Sequence, residues 1–444
     1  MFQALINAFR APDIRRRILF VLGMLVVYRM LAVVPVPDVN HEAVANLINQ
    51  QAFLQLIDLF SGGGLHTFSI VAMGVNPYIN ASIIMQLMTG VVPRLQALSR
   101  EGEYGRTKIN QYTRYLTVPL ALLQGYGYLA ILHNQSPPIV AEFDILSPQT
   151  LTQMLTLAAG TVLAMWIGEL ITERGIGNGI SFIIFAGIVA RVPQGIAQYL
   201  GVPDPNLLVG ALFVILALVV VAVIVYIQEG QRRIPIQYAS RVRGRRMYQG
   251  GATFLPLRVN QAGVIPIIFA ISILLFPTQI ASYFQAAPGT PVEQQTLINQ
   301  IAAGIVTFLS PQGPPWQGIP YIALYFLLTM GFTFFYTAFT FKPDETADQL
   351  RKNGGFIPGI RPGTPTRDYL SRVVFRLSVA GAFFLALIAV APLLLPKVIP
   401  GAQEIAGGFA LGGTALLIVV SVVVETMKQI EAQLMMRNYE GFIR

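Results

Sequence analysis

The chain has 444 residues, 54% of them hydrophobic and only 11% charged, against about 25% charged in a soluble domain. With a mean hydropathy of +0.60, that composition excludes an ordinary soluble enzyme and places the chain in a bilayer. The absence of cysteine excludes disulfides, thiolate metal sites and cysteine nucleophiles, and the placement of the +9 net charge matters more than its sum.

A helical span needs about 20 apolar residues. Apolar runs occur at about 18–36, 76–92, 115–133, 150–171, 179–197, 207–228, 261–285, 319–341, 373–395 and 408–427, which predicts ten spans. The first resembles a signal peptide in its charge order. Its apolar run is too long for one, and no small-residue cleavage site follows, so it is read as an uncleaved span. Between the first and second runs lies "LFSGGGLHTFSIVAMG", from Leu59. It is too short to cross, and irregular backbone at membrane depth is tolerated only against protein or a water-filled cavity.

The second run opens "NPYINASI" and the seventh "VIPIIFAISI", with Pro77 and Pro266 just inside a helix start, where a missing N–H is harmless. Residues 1–190 hold five spans and residues 207–444 five more. An odd number per half inverts the second half relative to the first, as in inverted-repeat membrane proteins; two apolar helices also share such features by chance. The joint, 191–206, carries Pro193, Gly201, Pro203 and Pro205 and reads as an external hinge or a plain loop. Loops alternate in charge along the chain. Of 30 Lys and Arg, all but Arg29, Arg191 and Lys397 fall on one side, which puts both termini in the cytoplasm.

Ionisable groups are sparse inside the spans. Arg29 is near an outer end, where it can snorkel, and Glu169 and Glu425 are near cytoplasmic ends. Ion-coupled transporters and proton pumps need intramembrane acids or bases. His41, His66 and His133 lack metal-ligand spacing, so no metal is expected. "ERGIGNGIS" follows a membrane helix rather than a strand, so Gly175, Gly177 and Gly179 read as a turn and not a phosphate loop. Gly408 and Gly412 mark close helix packing or a loose helix start. The loop 229–260 holds seven arginines, and the loop 341–372 is mixed in charge and punctuated by Gly and Pro. Two readings stand side by side for these loops: orientation with anionic-lipid contact, or docking to RNA phosphates or an acidic protein face.

The segments "LFSGGG…NPYINASII", "ITERGIGNGISFIIFAGIV", "RRIPIQYASRVRGRRMY", "LRVNQAGVIPIIFA", "FKPDETADQLRKNGGFIPGIRPGTPT" and "GGTALLIVVSVVVETMKQIEAQLMMRNYEGF" run in order along the chain. Together they resemble the SecY family, channel subunits of the bacterial protein-export translocon. The resemblance implies an all-α polytopic membrane protein of ten helices in two inverted five-helix halves around a central pore, hinged between helices five and six. It implies a pore ring of Ile79, Ile83, Ile184, Ile188, Ile268 and Ile418, with Asn80 and Phe182 as departures beside it. Residues i and i+4 lie one above the other on a helix face, which suits both isoleucine pairs, and an apolar waist resists wetting.

The resemblance also implies a plug at about 56–68, including Leu59, Phe60, Gly62, Gly63, Gly64 and Leu65, whose glycines would let it swing clear. A lateral gate would carry Gln86, Gln124 and Asn260, hydrogen-bonded across helices. Docking of a motor or ribosome would fall on Arg245, Arg246 and Arg361. The implied partners are SecE and SecG, the SecA motor ATPase, the translating ribosome with its RNA, signal peptides, unfolded secretory chains and membrane lipid, in the bacterial inner membrane. No cofactor is implied. No G-x-x-x-x-G-K-[ST] motif occurs, so the driving energy is expected from a partner and the chain is not expected to be an enzyme. The alternatives are an inverted-repeat secondary transporter, which would need a midplane site, and a lipid-processing hydrolase, which would need a catalytic constellation in the bilayer.

Overall fold

The computed structural model describes residues 9–50, 54, 58, 61–133, 135, 138–140, 143–144, 146–201, 207–238, 241–243, 246–248, 252–285, 296–309, 318–398 and 413–440. The helices are α1 (Pro12–Leu31), α2 (His41–Gln50), α3 (Asn76–Val91), α4 (Pro93–Ser99), α5 (Glu103–His133), α6 (Pro148–Arg174) and α7 (Gly179–Leu200). They continue with α8 (Leu207–Glu229), α9 (Ile265–Tyr283), α10 (Leu297–Phe308), α11 (Gly318–Thr340), α12 (Pro343–Lys352), α13 (Thr364–Val398) and α14 (Gly413–Glu440). Each predicted run coincides with one of α1, α3, α5, α6, α7, α8, α9, α11, α13 and α14. Five of the described helices, α5, α6 and α9 among them, are long and apolar enough to cross a membrane. Proline in the first turn starts α1, α3 and α9, where the lost N–H would have been unpaired anyway. At α6 the Ser147 hydroxyl caps the helix by accepting from the Thr150 N–H at 3.1 Å.

Helices α1, α3, α5, α6 and α7 pack on one another, and so do α8, α9, α11, α13 and α14. The two groups touch chiefly where α9 lies on α3 and α5, and where α14 lies on α7. A shell built this way has two seams.

The first helix differs from expectation. It starts at Pro12 and stops at Leu31, so the tail of the apolar run, 32–36, is not helical. Val36 N–H donates to Phe68 O at 3.0 Å and Ile70 N–H donates to Val34 O at 2.9 Å, and a bridge pairs Pro35 with Ser69. Ala32 and Val36 of the tail are buried, while Val33 and Val34 are exposed.

The fold is mostly helical, as expected, with a small sheet added in the loops. Part of the loop 229–260 is an antiparallel ribbon. Strand β1 (Gln231–Tyr238) pairs with β4 (Ala252–Arg258), from Gln231 opposite Arg258 to Gln237 opposite Ala252. Between them β2 (Arg241–Arg243) pairs with β3 (Arg246–Tyr248). A fifth strand, β5 (Gly355–Phe356), comes from the loop 341–372 and pairs with β1, giving the order β4-β1-β5. Ile234 and Ile236 point inward between exposed neighbours, the period-two alternation of a half-buried strand. They join Leu257, Leu350, Ile357 and Leu370 in a small core seated on the start of α13. The two loops form one folded unit.

Candidate pore, plug seat and docking face

The six isoleucines of the expected ring are all buried, none more than 7% exposed, and belong to one apolar cluster. They come from α3, α7, α9 and α14, two helices from each half. Pairs at 79/83 and 184/188 stack along their helices. The cluster also takes in Val71 and Val75, which precede α3. The segment that enters the shell therefore continues directly into the apolar waist.

Of the expected plug, Leu59 and Phe60 lie outside the described residues. Asp58 and Ser61 are helical, and from Gly62 to Val75 the backbone runs through turns, broken by the bridge at Ser69. Gly62 and Gly63 have φ of 71° and 87°, a region that side chains disfavour. Their role differs from the expected loose joint. A Cβ on Gly187 of α7 would stand 2.4 Å from the Gly62 Cα, so the two backbones touch where neither residue has a side chain. Leu65 is buried in the second apolar cluster with Phe68 and Met73.

Polar contacts fix the same segment. The Tyr28 hydroxyl donates to Ser61 O at 2.9 Å, and the Arg29 guanidinium donates to Gly62 O at 2.5 Å. Thr67 Oγ1 donates to Ala32 O at 2.9 Å. Asp58 is fully buried, and its carboxylate pairs with the Arg191 guanidinium. Sequence reasoning missed this pair. Its signal was present: Arg191 is one of the few cations on the sparsely charged side, and it lies seven and three residues beyond Ile184 and Ile188, on their face of α7.

The gate amides correct another expectation. Gln86 Nε2 donates to Ser82 Oγ at 3.1 Å on its own helix. Asn260 donates to Gly263 O and accepts from Gly263 N–H, both at 3.0 Å, so it shapes the turn before α9. Gln124 is buried on α5. No hydrogen bond joins these three across helices among the described residues. Instead Gln86 Oε1 and Gln124 Nε2 are buried without a partner among the described residues. An orphaned buried amide atom costs about 1–3 kcal/mol, so these groups loosen the seam where bridged amides would have tightened it. Shape closes it: the Tyr283 ring of α9 fills the place where a Cβ on Gly127 of α5 would stand, 1.5 Å from the ring carbon.

On the loop unit, Arg245 lies outside the described residues, as does the side chain of Arg246. Arg361 is exposed at the tip of a turn between Gly359 and Gly363, whose φ values are 81° and 103°. Buried Ile357 anchors one side of that turn, and Thr366 Oγ1 donates to Arg361 O at 2.8 Å on the other. Exposed Arg232, Arg233 and Arg258 stand on the adjoining strands. Arg233 and Arg258 lie on the sheet face away from the small core, and Arg232 on the other.

Apolar helices in two packed groups, a buried isoleucine cluster drawn from both, and an inward segment beneath it define a polytopic membrane protein of channel architecture. The SecY family model matches residues 69–427. A protein translocase subunit SecY from Streptomyces scabiei is 44% identical over 461 residues, covering all of both chains. The chain belongs to the SecY family. Its fold is similar to that of a SecY whose plug domain is described as stabilising the closed state of the translocation channel and maintaining a membrane seal, with a TM-score of 0.62, 20% identity and coverage of 93% and 91%. It is also similar to Sec61 in the canine ribosome-channel complex from the endoplasmic reticulum, with a TM-score of 0.60, 19% identity and the same coverage. Family membership decides against the secondary transporter.

Proposed function

We propose that this chain is the pore subunit of a bacterial inner-membrane translocon, with both termini cytoplasmic. It passes unfolded secretory polypeptides through the isoleucine waist and releases apolar segments sideways into lipid. The single observation that carries this reading is the joining of six isoleucines from both halves in one dry cluster, with Val71 and Val75 of the inward segment against them. A ring without polar atoms closes around varied side chains and binds none of them, and it resists wetting. The segment 56–68 acts as the plug. The α9 seam with α3 and α5 is the lateral exit for signal peptides. SecE and SecG complete the complex, and the loop unit receives the SecA motor or the ribosome and its RNA.

Crosslinking tests the pore. The chain lacks cysteine, so Ile79→Cys and Ile268→Cys introduce unique thiols. A secretory chain stalled midway is expected to form adducts with both. Adducts confined to the loops, with the stalled intermediate verified, would sink the assignment. A second test concerns docking: Arg361→Glu is expected to lower motor-driven export in inverted vesicles about tenfold or more, as loss of a charge-assisted contact does, while the chain still inserts. Undiminished export would count against the face.

A further inference from the structure

We propose that Asp58 and Arg191 form a latch that holds the inward segment on the wall of α7, and that this latch grips in a dry pore and slackens in a wet one. The inference rests on the plug reading above and names the residues that would keep a plug seated.

The Asp58 carboxylate does two things at once. Its Oδ1 accepts from Leu65 N–H and His66 N–H, both at 2.9 Å, and from Ser61 Oγ at 3.2 Å. Those bonds fold the turn 58–66 on itself. Its Oδ2 is met by the Arg191 guanidinium alone among the described residues. That contact ties the folded turn to α7. Arg191 runs alongside Gly63, where a Cβ would stand 3.7 Å from Nε. Arg29 of α1 holds the neighbouring Gly62 carbonyl. Arg29 thus holds the Gly62 carbonyl, Arg191 lies beside Gly63, and the buried Asp58 carboxylate pairs with Arg191.

The medium sets the strength of such a grip. The attraction between two charges scales inversely with the dielectric constant around them. With Asp58 fully buried and Arg191 18% exposed, separation in a dry pore would strand an uncompensated charge. Once a translocating chain parts the shell and admits water, both groups regain hydration. The same pair then contributes little, as exposed ion pairs do. The latch thus holds while the channel is idle and yields to the event that should open it, with no separate release signal.

The test uses the assembled complex in proteoliposomes, reading ion conductance and export of a precursor with a shortened, weakened signal. Asp58→Asn and Arg191→Gln are expected to raise idle conductance on the order of a hundredfold or more, the scale of a broken buried charge pair. They should also increase export of the weak-signal precursor, a gain that simple damage to the fold does not produce. Arg191→Lys keeps the charge and is expected to recover most of the seal. Arg191→Gln leaves the hydrogen bonds inside the turn intact, so it carries the test if Asp58→Asn fails to assemble. Idle conductance of Arg191→Gln equal to the parent, or a leak from Arg191→Lys as large as that from Arg191→Gln, overturns the latch. Deleting 60–68 separates this from the reading beneath it. A leaky deletion with a tight Arg191→Gln removes the latch and keeps the plug; a tight deletion removes the plug itself.

Discussion

Replacing Gly187 by valine is expected to unseat the inward segment and leave the idle complex conducting ions, with the helices still assembled. The Cβ alone would lie 2.4 Å from the Gly62 Cα, and Gly62 answers with backbone, not with a side chain that could turn aside. Overpacking of this kind costs about 1–3 kcal/mol and occasionally more. Every 1.4 kcal/mol is about tenfold in an equilibrium. The strain falls on the weaker partner. Helix α7 is held by its own backbone ladder, while the turn at Gly62 is held by a few side-chain bonds from Tyr28, Arg29 and Asp58. Gly187→Ala should show the same sign with a smaller size. Single-channel recording of the reconstituted complex checks both, and a valine variant as tight as the parent would show that the segment is not seated on α7.

Replacing Ile236 by aspartate is expected to abolish motor-driven export while leaving insertion of the chain and the ion seal untouched. Ile236 is buried between Leu257, Leu350, Ile357 and Leu370, with no cation in that small core to receive a carboxylate. Burying an unpaired charge costs several kcal/mol or forces the site open, and a sheet this small has little stability to lose. As β1 detaches, β5 loses its partner and the Arg361 turn loses its base. The loss should match or exceed that of Arg361→Glu, because the whole face is displaced instead of one charge. Precursor export and conductance measured on the same vesicles check it. Normal export would mean that the sheet is not the docking frame; a new ion leak would mean that it also props the pore.

Hydropathy made the ten helices legible, because lipid and packed core both demand long apolar runs and little else in the chain mimics them. The isoleucine ring was legible only through the family resemblance. Ile79 by itself looks like any core residue, and nothing local says that it meets Ile418. The sheet was hidden for two reasons. Its alternation spans only Ile234 to Ile236, inside a stretch dominated by arginine, and β5 lies more than a hundred residues from β1, beyond what local pattern reports. The gate amides were misjudged because an amide's type does not say whether it bonds its own turn, as Asn260 does, or a neighbour. Asp58 was passed over because it sits outside every full-length run, where a charge looks solvated. Its burial depends on α7 arriving beside it.

The sheet has a mechanical meaning. One of its loops joins α8 to α9 and the other joins α11 to α13, and its core is seated on α13. A load applied at Arg361 is therefore shared by four helices of one half and by none of the other. The frame works as a handle on that half. Among the described residues its torque is resisted chiefly where α9 meets α3 and α5, and where α14 meets α7. Of those two lines of contact, the first contains the unpaired Gln86 and Gln124 atoms, and a push on the frame would part the shell along that line.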